Sequence, residues 1–133
     1  MTRPVSAEYC RTKIRKAIQC VNQVIRTQTI TVRVMRDVWK LRDDLGEYPQ
    51  VVVNLQKVHE INTDTIKKCE DILKTALEGY ETKWSSETAV AAVMFDWKRL
   101  YNLLEIAKDA EIAVGVTVNK LVQYTSDGLT VKH

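Results

Sequence analysis

Ten of the chain's twenty Lys and Arg residues lie within its first 42 positions: Arg3, Arg11, Lys13, Arg15, Lys16, Arg26, Arg33, Arg36, Lys40 and Arg42. Only Glu8 and Asp37 oppose them, a balance of +8, while the remaining 91 positions set ten bases against fifteen acids, or −5. The formal charge of +3 therefore hides a polarised molecule. The chemistry open to such a block is attraction of a polyanion. A merely solubilising helix face mixes Glu with Lys, often in i,i+4 pairs. Here Arg outnumbers Lys seven to three, and guanidinium suits bidentate contact with phosphate better than ammonium does.

Little else in the chain is arranged for bond-making. Two histidines, His59 and His133, are too few for a multi-His metal site. The sequence holds no GxSxG elbow, P-loop or Gly-rich dinucleotide turn. Asp43-Asp44 and Glu70-Asp71 read as solvated pairs on helix surfaces. The expectation is a binding protein and not an enzyme, with no cofactor, metal or small-molecule substrate. Cys10, Cys20 and Cys69 lack CxxC spacing and read first as buried thiols, with a link from Cys10 or Cys20 to Cys69 as the alternative.

Segments that would carry the basic block are helical by spacing. With 133 residues, four Gly and two Pro, the chain reads as an all-α protein forming one structural unit, although seventeen Val leave room for short β segments. Residues 1–46 read as a basic helical hairpin, an arm, and residues 47–133 as a helical bundle with one long helix. The first helix starts near Ser6 and buries Cys10, Ile14, Ala17, Ile18, Val21, Val24 and Ile25. A β-branched joint at Gln28–Thr31 leads to a second helix ending near Leu45, whose core stripe is Val34, Val38, Leu41 and Leu45. Thr29–Val34 also admits a short strand. On this second helix Arg33, Arg36 and Lys40 share an arc of about 60° bordered by Met35 and Trp39.

Pro49 to Trp84 carries the cleanest helical stripe: Val51, Leu55, Val58, Asn62, Ile66, Cys69, Leu73, Ala76, Leu77, Tyr80 and Trp84. Asn62 interrupts it, as a register-setting residue or, more simply, a solvated or locally bonded one. Ser85-Ser86-Glu87 opens a further helix with one apolar face through Val90, Val93, Met94, Trp97, Leu100, Tyr101 and Leu104. Phe95, Leu103 and Ile106 form a second face, expected to meet another subunit. The pattern breaks near Lys108–Glu111, and Ile112–Tyr124 resumes as helix or strand. No stretch is long and apolar enough to span a bilayer.

This layout resembles the major coat proteins of filamentous and rod-shaped archaeal viruses. The features that carry the resemblance are the hairpin from Ser6 to Leu45, with Arg11, Arg15, Arg26, Arg33, Arg36 and Lys40, and the less basic bundle from Pro49 onward. The resemblance implies a small helical coat protein whose hairpin clamps double-stranded DNA and which assembles as homo- or heterodimers into a helical nucleoprotein. It covers nearly the whole chain as a pattern of helices and charge. The expected function is thus sequence-independent phosphate binding by a structural protein, with double-stranded DNA the favoured ligand and residence in a virion, or inside a cell as a soluble protein. The alternative is a helical adaptor whose basic face and long apolar stripe dock an acidic partner. Peripheral membrane binding is a weaker third reading, because the first helix has no Trp, Phe or Leu on its apolar face.

Overall fold

The computed structural model describes the backbone of residues 7–41, 43–81 and 87–131, and over these residues the protein is all-α. Helix α1 spans Ala7–Lys40, α2 spans Pro49–Glu81 and α3 spans Glu87–Val131, with a 3₁₀ turn at Leu45–Glu47 between the first two. Pro49 occupies the first position of α2, where no intrahelical N–H is required. Arg11 meets Asp96, Gln28 meets Glu111 and Trp39 meets Tyr124, so α1 and α3 run parallel. Cys69 meets Ala17 and His59 meets Glu111, so α2 runs against both.

The expected hairpin is corrected. Residues 7–40 form one helix of 34 residues, with no joint at Gln28–Thr31 and no strand at residues 29–34. Thr27, Thr29 and Thr31 donate their hydroxyls to the carbonyls four residues earlier, which accommodates the β-branched run inside the helix. Gln28 is buried and anchored on α3, so tertiary contacts override the local propensity. Because the helix is unbroken, its phase carries through at spacings of three and four from Cys10 to Val38. Met35 is buried in place of Val34, and Val34 and Leu41, expected in the core, are exposed. Leu45 reaches the core from the 3₁₀ turn.

In α2, Leu55, Ile66, Cys69, Leu73 and Ala76 are buried as the stripe predicts, joined by Val52, and Asn62 is buried and bonded to α3 where solvation or a local bond was expected. The positions Leu77, Tyr80 and Trp84 lie outside the described side chains. In α3, Val93, Leu100 and Leu104 are buried, whereas Tyr101 is exposed. Residues 108–124 continue α3 without a break, so the strand alternative there is excluded.

The core is divided. One apolar cluster joins Ile14–Val24 of α1 with Ile66–Ala76 of α2 and Val93–Ala107 of α3. A second joins Met35, Val38 and Leu45 with Val52 and Leu55 and with Val114, Val118 and Leu121. Between them lies a polar layer of Gln28, Asn62, His59 and Glu111. Glu111 Oε1 accepts from Gln28 Nε2 at 3.0 Å and from Asn62 Nδ2 at 3.2 Å, while Oε2 lies 2.6 Å from His59 Nδ1. Gln28 Nε2 also donates to the Ala107 carbonyl at 2.7 Å. A carboxylate removed from water is tolerated only with such donors around it. The sequence pattern breaks at Lys108–Glu111 because a buried position there is filled by an acid.

Candidate nucleic-acid interface

Helix α1 directs its apolar side at α2 and α3, which leaves the opposite side to solvent. No acidic residue occurs between Glu8 and Asp37, so the solvent side of α1 is free of acids over most of its length. Arg26, Arg33 and Lys40 recur every seven residues, a spacing that keeps them on one outward line about 21 Å long at 1.5 Å per residue. All three are exposed. Lys16, Arg26, Arg33 and Arg36 pair with no carboxylate among the described residues. Lys40 stands 3.9 Å from Asp37 with both side chains 80% exposed, an i,i+3 contact that contributes little in water.

The N-terminal part of the block behaves differently. Arg11 Nε and Arg15 Nε donate to the same oxygen of Asp96, at 3.0 and 3.2 Å. Asp96 is buried, and the two guanidinium groups cover it from α1. Both arginines belong to the set expected on phosphate, for which pairing with acids of the C-terminal part is the second reading; the fold uses these two to neutralise a core carboxylate on α3. Lys13 sits with its Nζ 5.5 Å from the centre of the Tyr9 ring, an exposed cation–π contact. Arg3 and Arg42 lie outside the described residues. The expected set thus divides into an outward ridge at its C-terminal end and an internally paired group at its N-terminal end.

Arg33, Arg36 and Lys40 also edge a groove of about 980 Å³ between α1 and α3. Its walls include Val32, Met35 and Trp39 from α1 and Ala110, Ala113 and Val114 from α3. The groove exists because α3 presents small side chains opposite the larger ones of α1. Trp39 is held edge-on to Tyr124, with ring centres 5.2 Å apart, and packs partly against the second apolar cluster. Of the residues expected at a subunit contact, Phe95 is 70% and Ile106 57% exposed, while Leu103 is half-buried against the protein's own core.

Three features escaped the sequence reading. Asp96, between Phe95 and Trp97, looks like an ordinary helix-surface acid, and only its apolar neighbours signalled burial. Glu111 and His59 form the second. With Glu111 ionised its oxygens only accept, and the ring hydrogen then sits on Nδ1. The His59 ring packs over Gly115, where an added Cβ would stand 2.9 Å from Nε2. His59 and Glu111 share the wall of a cavity of about 420 Å³ with Thr63, whose hydroxyl donates to the His59 carbonyl. The pair joins α2 to α3 at this wall. Third, Cys20 is exposed, against the expectation of three buried thiols; all three cysteines are free.

Burial raises the Cys10 thiol pKa, and it pushes that of Cys69 to about 11, with a further contribution from Cys20. Among the described residues no group of three or more His, Cys, Asp or Glu side chains could hold a metal ion, and no helix is long and apolar enough to cross a membrane. The chain matches no family model, no curated protein and no solved structure.

Proposed function

We propose that this protein binds nucleic acid, double-stranded DNA in preference, through the solvent face of α1 by sequence-independent phosphate contacts. The observation that carries this reading is the outer side of α1, with Arg26, Arg33 and Lys40 in line, Arg36 beside them and no acid between Glu8 and Asp37. A duplex carries one charge per about 1.7 Å of axis, so a cationic ridge about 21 Å long faces phosphates along its whole extent. Among the described residues no element is shaped to read base edges, and backbone contacts of this kind position a protein without specifying sequence.

The role we assign is structural: a building block of a nucleoprotein, in the form of a virion coat protein that assembles into a helical filament. One helix cannot clamp a duplex as a hairpin would, so in this reading enclosure of the nucleic acid is the work of successive protomers. Arg11 and Arg15 support the bundle through Asp96 and contribute to the field at longer range.

The experiment is electron microscopy of the purified protein with and without duplex DNA of arbitrary sequence, paired with binding assays on unrelated duplexes. Filaments or coated duplexes that require DNA, with similar affinity for every sequence, are expected. Absence of binding to any duplex at low salt refutes the reading.

A further inference from the structure

The α1–α3 groove is one end of a longer surface. Ala110 and Ala113 line it, and Ile106 lies four residues before Ala110 with Leu103 three before that. These spacings keep all four on the side of α3 that borders α1. Phe95 continues the side, next to Asp96, whose carboxylate is held by Arg11 and Arg15 of α1. From Phe95 to Thr117 the strip measures about 33 Å. Phe95 and Ile106 are the large, exposed apolar residues at one end, and the alanine-floored groove is the other.

Cations border this strip on the α1 side. Arg33, Arg36 and Lys40 edge the groove against the single acid Asp37, and exposed Arg99 lies within the strip on α3. An apolar seam at spacings of three and four, about six helical turns long and bordered by guanidinium groups, has the complement required by an amphipathic helix with carboxylates on its flank. We infer that the α1–α3 face is a docking site for an acidic amphipathic helix of a partner protein, with Phe95 and Ile106 as anchors and the partner's own apolar side chains seated over Ala110 and Ala113. The inference goes beyond phosphate binding and stands without it.

The probe is a fluorescein-labelled 22-residue synthetic helix with Leu at heptad a and d positions and Glu on both flanks, followed by anisotropy at about 150 mM salt. The controls are a scrambled peptide of identical composition and a version with Lys flanks. Binding of the Glu-flanked peptide at least about tenfold tighter than either control is expected. Phe95→Ala and Ile106→Ala, both at exposed positions and neutral in charge, should each weaken it about tenfold or more, with the helical circular dichroism and the affinity for duplex DNA unchanged. Equal binding of the scrambled peptide overturns the inference. So does a dimer in sedimentation equilibrium that the same two substitutions dissolve, which assigns the face to a second copy. An equal loss of duplex binding in those variants assigns it to nucleic acid and overturns it as well.

Discussion

Glu111 of α3 and His59 of α2 approach to 2.6 Å in the layer that separates the two apolar clusters, and Gln28 of α1 completes the contact from the third helix. One carboxylate thus ties together all three helices. Replacing it with alanine leaves one N–H of Gln28, which keeps its bond to the Ala107 carbonyl, and one of Asn62 without an acceptor away from water, and each orphaned donor costs about 1–3 kcal/mol. Glu111→Ala should therefore destabilise the protein by about 2–4 kcal/mol. Urea unfolding reads this as a lower midpoint at constant m-value; an unchanged midpoint would show that the layer contributes nothing net.

Gly115 provides a sharper test of the same layer. A Cβ there collides with the His59 ring at 2.9 Å, so Gly115→Ala must displace the ring and should cost about 1–3 kcal/mol. With His59→Ala already in place the obstacle is gone, and the same substitution should stabilise by up to about 1 kcal/mol through helix propensity. Thermal or urea unfolding of the four proteins in the cycle measures the change of sign. A destabilising Gly115→Ala in both backgrounds is inconsistent with the contact.

Much of this fold can be read from spacing, because a helix that buries one face repeats its apolar residues every three or four positions. The α2 stripe from Leu55 to Ala76 and the α1 stripe from Cys10 to Val24 are legible for that reason. The Thr27–Thr31 segment is not, since β-branched residues read as a joint until the anchoring of Gln28 on α3 is known. Nor is the polar layer: His59, Asn62, Gln28 and Glu111 come from three helices, and each alone resembles a solvated residue. The basic block was visible as composition, but its division into an outward ridge and an Asp96-bound pair depends on which turn of α1 faces α3.

That division is testable. Asp96→Asn removes the charge that holds Arg11 and Arg15. Stability should fall by about 1–3 kcal/mol, as for loss of a buried hydrogen-bonded charge. Affinity for duplex DNA at low salt should rise, because two guanidinium groups are released to the basic face. Fluorescence anisotropy at about 50 mM salt checks this; weaker binding by a variant shown to be folded would contradict the assignment.

The thiols differ in the same structural way. With a pKa near 11, Cys69 is almost wholly protonated at pH 8, and thiolate is the reactive form. Iodoacetamide at pH 8 should label exposed Cys20 first, leaving Cys10 and Cys69 until the protein unfolds; mass spectrometry of peptides reports the order. Because burial holds the folded pKa of Cys69 above the ordinary thiol value of 9.0, its contribution to stability is complete below pH 9 and declines as pH rises towards 11. Cys69→Ala should flatten that part of the stability profile.

The central claim concerns the outward ridge, and the salt dependence of duplex binding tests it most directly. Each neutralised phosphate adds about −0.9 to the slope of log K against log salt. Replacing Arg26, Arg33 and Lys40 together with Gln should reduce the magnitude of that slope by about 2.7, with helicity and unfolding midpoint unchanged. An identical slope in the folded triple variant would remove the α1 ridge from any role in holding nucleic acid.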